Sequence, residues 1–297
     1  VDRIAADEVG FVNTDDRNRI EYGFARTVGK TGTFSIEGLR KTAAPLAAHR
    51  PDLAEDHGID WDRVEGHRQL LDALVGGVSL PSESAPEHRA RAEVLSRYWA
   101  ADMKGMTQEF EQAGYEPLVP VEIALLALGY ADQGSDKARE LTARLRSFQP
   151  IEADAIEAYL VRKRGDSRES ADLLERVFVR LRSSPWGLSH AVELCFSTAV
   201  AVAEADPAQA PRLYAALREP FAVYAYEETR LSAALAVARS VGPQALLEAV
   251  LAYEPHVPWT KDFLTLRLRI YEASRHPLGG RAREDLEAFR RQEAEAR

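Results

Sequence analysis

Apolar residues recur three and four places apart along most of this chain, a spacing that predicts amphipathic helices. The first stretch is the exception. Ile20, Tyr22 and Phe24 alternate with Glu21 and Gly23 behind the turn-rich cluster Asn13-Thr14-Asp15-Asp16, and this period of two predicts a strand. From about residue 35 onward the pattern is helical. Ile36 to Ala48 predicts a helix that ends before Pro51. Asp60 caps a second one, with Trp61, Val64, Leu71 and Leu74 on one face and Gly76-Gly77 as its stop. Ser84-Ala85-Pro86-Glu87 fits a capping box. The spacing of Val94 or Leu95, Trp99, Met103, Met106 and Phe110 then predicts a single helix running to Gly114, the longest in the chain. Beyond Pro120 the punctuation becomes regular: Pro150, Pro185, Pro220 and Pro255 fall at intervals of 35. Breakers at Gly134, Gly165, Asp206-Pro207, Gly242-Pro243 and Gly279-Gly280 divide each interval into two helices. Five hairpins are expected, at 119–148, 151–182, 185–218, 221–253 and 257–291. The expected fold is all-α: an α-solenoid in which each hairpin buries its apolar face against its neighbours, preceded by a short remnant strand.

The second hairpin carries a finer pattern. Small Ala158 lies seven residues before Gly165, and Ser170, Leu174 and Val177 follow that glycine at plus five, nine and twelve. The first hairpin offers Ala138, Leu145 and Pro150 as small, apolar and terminal-proline positions. Its turn is one residue short, and Thr142 fills a position that is usually apolar. This pattern resembles the tetratricopeptide repeat family, whose small residues permit close helix approach. The later hairpins have longer first helices and lose the signature, so the array is expected to be tetratricopeptide-like.

Composition narrows the function classes. The 297 residues are rich in alanine (47) and favour arginine over lysine by 32 to 6, which suits helices. A net charge of −9 makes a phosphate backbone a poor partner, so no nucleic-acid binding is expected. Cys195 is the sole cysteine, which excludes a disulfide scaffold. No apolar run reaches the roughly 18–20 residues that cross a bilayer, so no membrane insertion by this chain is expected. With no signal pattern, placement is expected to be cytoplasmic, with tethering to a membrane-anchored parent the other option.

Motifs for catalysis are absent. Gly29-Lys30-Thr31 suggests a phosphate loop, but Phe24 stands where that loop needs glycine, and Gly32 follows where a helix should begin. The seven histidines include no i,i+4 pair, so neither metal nor cofactor is expected. Cys195 lies among Leu194, Phe196 and Ala199 and reads as core rather than nucleophile. No Gly-x-Ser-x-Gly elbow occurs. The chain itself is therefore expected not to be an enzyme.

Asn13-Thr14-Asp15-Asp16-Arg17, followed by Ile20-Glu21-Tyr22, resembles the closing segment of bacterial spermidine synthase-like proteins, which have the aminopropyltransferase fold. The plain reading of Asp15-Asp16 is a polar turn before a strand. The resemblance, which covers about the first 25 residues, implies that the chain is the C-terminal portion of a larger fusion protein. It also implies that the glycine-rich loop and catalytic acids lie upstream, so Asp15 and Asp16 match positions of the tail motif without a catalytic role. The expected organisation is residues 1–34 as a remnant of an upstream domain, 35–118 as a helical linker and 119–297 as the repeat domain.

Solenoids commonly hold an extended peptide or a partner helix on the concave face lined by their first helices. Tetratricopeptide-like phasing of the second hairpin places Glu152, Tyr159 and Arg162 there. Extrapolation adds His190 and Glu193, then Tyr226, Glu227 and Arg230, then Arg267. Tyrosine and arginine combine contact area with directed hydrogen bonds. The expected partner is a protein or peptide, the chain's own upstream domain included. Two other readings stand beside this one: a scaffold or homodimerisation domain of the parent, and a small-molecule sensor marked by a large apolar cavity.

Overall fold

The computed structural model describes residues 86–115, 120–147, 149–184 and 189–295, and among them the chain is all-helical, with twelve α-helices and no strand. The strand expected at Ile20–Phe24, the two helices before residue 85, the Gly29-Lys30-Thr31 segment and the Asp15-Asp16 motif lie outside the described residues. The chain divides into two compact units, one ending at Leu145 and the other beginning at Arg146.

The first unit holds α1 (Pro86–Trp99), α2 (Met103–Ala113), α3 (Pro120–Asp132) and α4 (Lys137–Arg146), the last of which ends at the unit boundary. The single long helix expected to run to Gly114 is two helices, because the chain turns back at Ala100-Ala101-Asp102. Ala101 adopts the left-handed conformation (φ 57°), and the Asp102 amide donates to the Arg97 carbonyl at 2.9 Å. Those two features close a helix end in the way a glycine normally does, at a cost of about 1–2 kcal/mol for a residue with a Cβ. Asp102 then opens α2 by accepting from the Gly105 amide at 2.8 Å. Gly105 leaves room for that cap, since a Cβ there would sit 2.0 Å from Asp102 Oδ2. Gly129 in turn lets α3 approach α2: a Cβ on it would meet Met106 Cε at 2.4 Å. Arg91 and Glu122 are both buried and bonded at 2.7 Å, with the guanidinium 4.5 Å from the Tyr115 ring centre. Burying the pair together leaves neither charge uncompensated.

The second unit holds α5 (Pro150–Lys163), α6 (Ser167–Leu181), α7 (Ser189–Ala205), α8 (Ala210–Arg218), α9 (Glu227–Val241), α10 (Pro243–Leu251), α11 (Lys261–Ala273) and α12 (Gly279–Glu295). Glycine turns α5 into α6 at Gly165 (φ 89°), and Asp166 caps α6 by accepting from the Glu169 amide at 2.9 Å. A 3-10 turn at Pro207–Gln209 joins α7 to α8, and Gly242 (φ 140°) joins α9 to α10. Between α11 and α12 the turn falls at Arg275 (φ 53°), so Gly279-Gly280 open α12 instead of forming the turn. α5 packs on α6 and α7, and α7 packs on α9. α6 packs on α8, and α8 on α9, so the first and second helices of successive pairs form adjoining rows. The pair α11 and α12 joins the rest chiefly through α10.

Small residues set the closeness of these rows. Ala158 and Ser170 are both fully buried, and the Ser170 hydroxyl donates to the Ala158 carbonyl at 2.9 Å, which satisfies it without water. Leu174, Val177, Phe178, Leu181, Cys195, Val202, Leu213 and Val237 fill one continuous core around them. Within it Phe178, Phe196 and Phe221 form a mutual cluster with ring centres 5.9–6.1 Å apart. Phe221 explains why α9 starts late. The ring is pulled into the core, the Ala222 amide donates to the Leu181 carbonyl at 3.1 Å, and helix begins only at Glu227.

Candidate functional site

The row of first helices brings some of the expected residues together. Tyr226, in a 3-10 turn just before α9, lies half-buried near Glu193 of α7 and Glu152 of α5. Burial pushes its phenol up in pKa, and the fields of Glu193 and Glu152 push it the same way. Glu193 is exposed, whereas Glu152 is buried. Two helix turns beyond Glu152 along α5, the half-buried Tyr159 ring has Lys163 Nζ at 5.3 Å and the Arg162 guanidinium at 5.4 Å. Arg162 Nε is buried without a hydrogen-bond partner among the described residues. Thus α5, α7 and the start of α9 carry one exposed carboxylate, Glu193, and two half-buried tyrosines, while the expected Glu152 is buried and not presented. His190 lies in the first turn of α7, and its side chain is outside the described residues.

The two outermost arginines are corrected by the structure. Arg230 is buried and fastened on both sides: Nε and Nη2 donate to the Glu227 carboxylate at 2.8 and 2.6 Å, and Nη1 donates to the Arg218 carbonyl at 3.0 Å. It ties the end of α8 to the start of α9, and it takes up Glu227 as well. Arg267 is 0% exposed. Its guanidinium donates to both Glu254 oxygens at 2.8 and 3.0 Å and to Asp285 at 2.6 Å, while the Tyr271 hydroxyl also donates to Glu254. A partner could reach either arginine only by breaking these bonds. Helical phasing placed both on the working face because it carries no information about the chain that later covers them.

Glu254 gives this second network a pH dependence. Burial raises the pKa of its carboxyl, but the bonds from Arg267 and Tyr271 outweigh burial and hold it below its ordinary value of 4.5. The folded state therefore favours the carboxylate, whose contribution is complete above the ordinary value and disappears as pH falls through the lower folded one. The stability gap between the native chain and Glu254→Gln should narrow as pH drops from about 7 to about 3, measured by urea unfolding. A gap of constant size over that range would remove the assignment.

Reasoning from sequence did not find the second charged cluster of this unit. Asp154 of α5 is buried, and Arg146, Arg176 and Arg180 converge on its carboxylate. The signal available was faint, since Asp154 is one of three carboxylates, with Glu152 and Glu157, in the run Ile151–Leu160. Cys195 is fully buried, its thiol donates to the Ala191 carbonyl at 3.2 Å, and burial raises its pKa. On the first unit an open depression of about 460 Å3 is lined by polar side chains such as Arg97, Lys104 and Gln108. Its polar lining is unlike the large apolar cavity that marks the sensor reading. Among the described residues, no group of three or more His, Cys, Asp and Glu side chains is placed to hold a metal. No described helix is long and apolar enough to cross a membrane.

Among the described residues the fold is all-α. Comparison with family models, curated proteins and solved structures gives no match.

Proposed function

We propose that helices α5–α12 are a tetratricopeptide-like α-solenoid that binds a peptide or partner helix along the row α5, α7 and α9. The observation that carries this reading is that α7 packs on both α5 and α9, which sets half-buried Tyr226, at the entry to α9, in the fields of Glu193 of α7 and Glu152 of α5. Supporting it, Ala158, Ser170, Leu174 and Val177 are all fully buried, as close hairpin stacking requires. An exposed carboxylate, Glu193, with the half-buried rings of Tyr159 and Tyr226 on the adjoining helices, suits a segment that carries lysine or arginine among apolar residues. In this reading the chain acts by interaction and not by catalysis. The parent it serves is of the spermidine synthase-like kind, a step that rests on Asn13–Arg17 and the strand pattern behind it.

Peptide display against the full chain tests this directly. Selected peptides should be enriched in basic residues, and the double variant Tyr159→Ala with Tyr226→Ala should weaken them by tenfold or more while keeping its helical circular dichroism. Peptides that bind the native chain and the double variant equally would overturn the reading.

A further inference from the structure

Three guanidinium groups share one buried carboxylate on the second unit. The Asp154 side chain is 2% exposed, whereas those of Arg146, Arg176 and Arg180 are 41%, 51% and 40% exposed. Oδ1 accepts from Arg146 Nε and Nη2 at 3.3 and 3.2 Å. Oδ2 accepts from Arg176 Nε at 3.3 Å and from Arg180 Nη1 at 2.6 Å. Four N–H bonds occupy the carboxylate, so it has no capacity left to satisfy the outer nitrogens. A second carboxylate at this place, Glu157, also pairs with Arg146. Three positive charges therefore share the single Asp154 carboxylate, on a chain whose net charge is −9. Among the described residues neither terminal nitrogen of Arg176 has a partner, and Arg180 Nη2 likewise has none.

We infer that Arg176 and Arg180, with Arg146 beside them, form a binding site for a phosphate group, and that Asp154 is its positioning residue. Long arginine side chains at a surface normally lose much rotamer freedom when they capture an anion. Here the buried carboxylate has already fixed their heads side by side, with each bonded nitrogen within 3.3 Å of an Asp154 oxygen. The outer N–H groups are left for tetrahedral oxyanion geometry, which the planar guanidinium fork matches well. Glu157 sets the edge of the site, because its charge repels an anion from the Arg146 side. The phosphate could be the free ion or a monoester of a small molecule, and both present the same three oxygens.

Calorimetric titration of the full chain with inorganic phosphate, and separately with phenyl phosphate, tests the site at fixed ionic strength. Saturable one-to-one binding is expected with at least one of the two. Tighter phenyl phosphate would assign the ester, and tighter inorganic phosphate the free ion. Arg176→Gln should weaken binding about tenfold or more while leaving the melting curve nearly unchanged, since only one 3.3 Å bond is lost. Glu157→Gln should tighten binding. Glu284→Gln on exposed α12 changes net charge equally and should not alter it. Absence of saturable binding by both ligands, or equal affinity in Arg176→Gln and the native chain, would overturn the site.

Discussion

Replacing Arg267 with alanine should destabilise the chain by about 3–5 kcal/mol, because it removes one member of a buried network and leaves the others charged. Glu254 would lose two bonds, Asp285 one, and both carboxylates would remain in a place built around a cation. The cost is that of stranded charge rather than of a lost contact. Arg267→Met with Glu254→Gln and Asp285→Asn should therefore recover a large part of the loss, although it has no ion pair at all. Arg267→Lys keeps the charge but not the fork that spans Glu254 and Asp285, and should fall between. Urea unfolding of the four proteins at neutral pH measures the series. A single alanine variant within about 1 kcal/mol of the native chain would show that water or side-chain movement compensates these carboxylates.

Phe178→Ala should cost a similar amount, about 3–5 kcal/mol, by a different mechanism. Phe178 is fully buried, and its ring centre lies 5.9 Å from that of Phe196 and 6.1 Å from that of Phe221. Truncation opens a cavity between α6, α7 and the segment that leads into α9. The effect should also have a local signature. Phe221 anchors the segment whose Ala222 amide bonds the Leu181 carbonyl, so this amide should lose hydrogen-exchange protection beyond the global change. A double-mutant cycle of Phe178→Ala with Phe221→Ala should be non-additive, since both rings line one cavity. Additive losses with a fully protected Ala222 amide would show that the three rings act independently.

These two networks mark where reasoning from the sequence ends. Three turns of the second unit were legible because the residues that make them are unambiguous: Gly165 and Gly242 supply positive φ, and Asp206-Pro207 supplies a 3-10 turn, whereas the turn at Arg275 carries no such mark. The break between α1 and α2 was not legible, because Ala101 holds the left-handed position that glycine usually marks. The late start of α9 was hidden for another reason. Phe221 reads as the first apolar residue of a helix, yet its ring is claimed by Phe178 and Phe196, which lie far back in the chain. Candidate residues divide the same way. Of the residues that helical phasing singled out, Glu193 is exposed and Tyr159 and Tyr226 are half-buried. Phasing could not show that Arg230 bonds the end of α8, or that Asp154 draws in arginines 22 and 26 residues away. Periodicity sees one helix at a time, while burial of charge depends on partners from several.

The narrow attachment of α11 and α12 has a mechanical consequence. In a row where each pair is held mainly by its neighbours, pulling force applied at the C-terminal end is borne by one joint at a time. The joint nearest that end runs chiefly through α10, and the Glu254 clasp on Arg267 closes from its α10 side. That clasp, reinforced by Asp285 from α12, would act as the first link to yield under tension, with the rows behind it still loaded but intact.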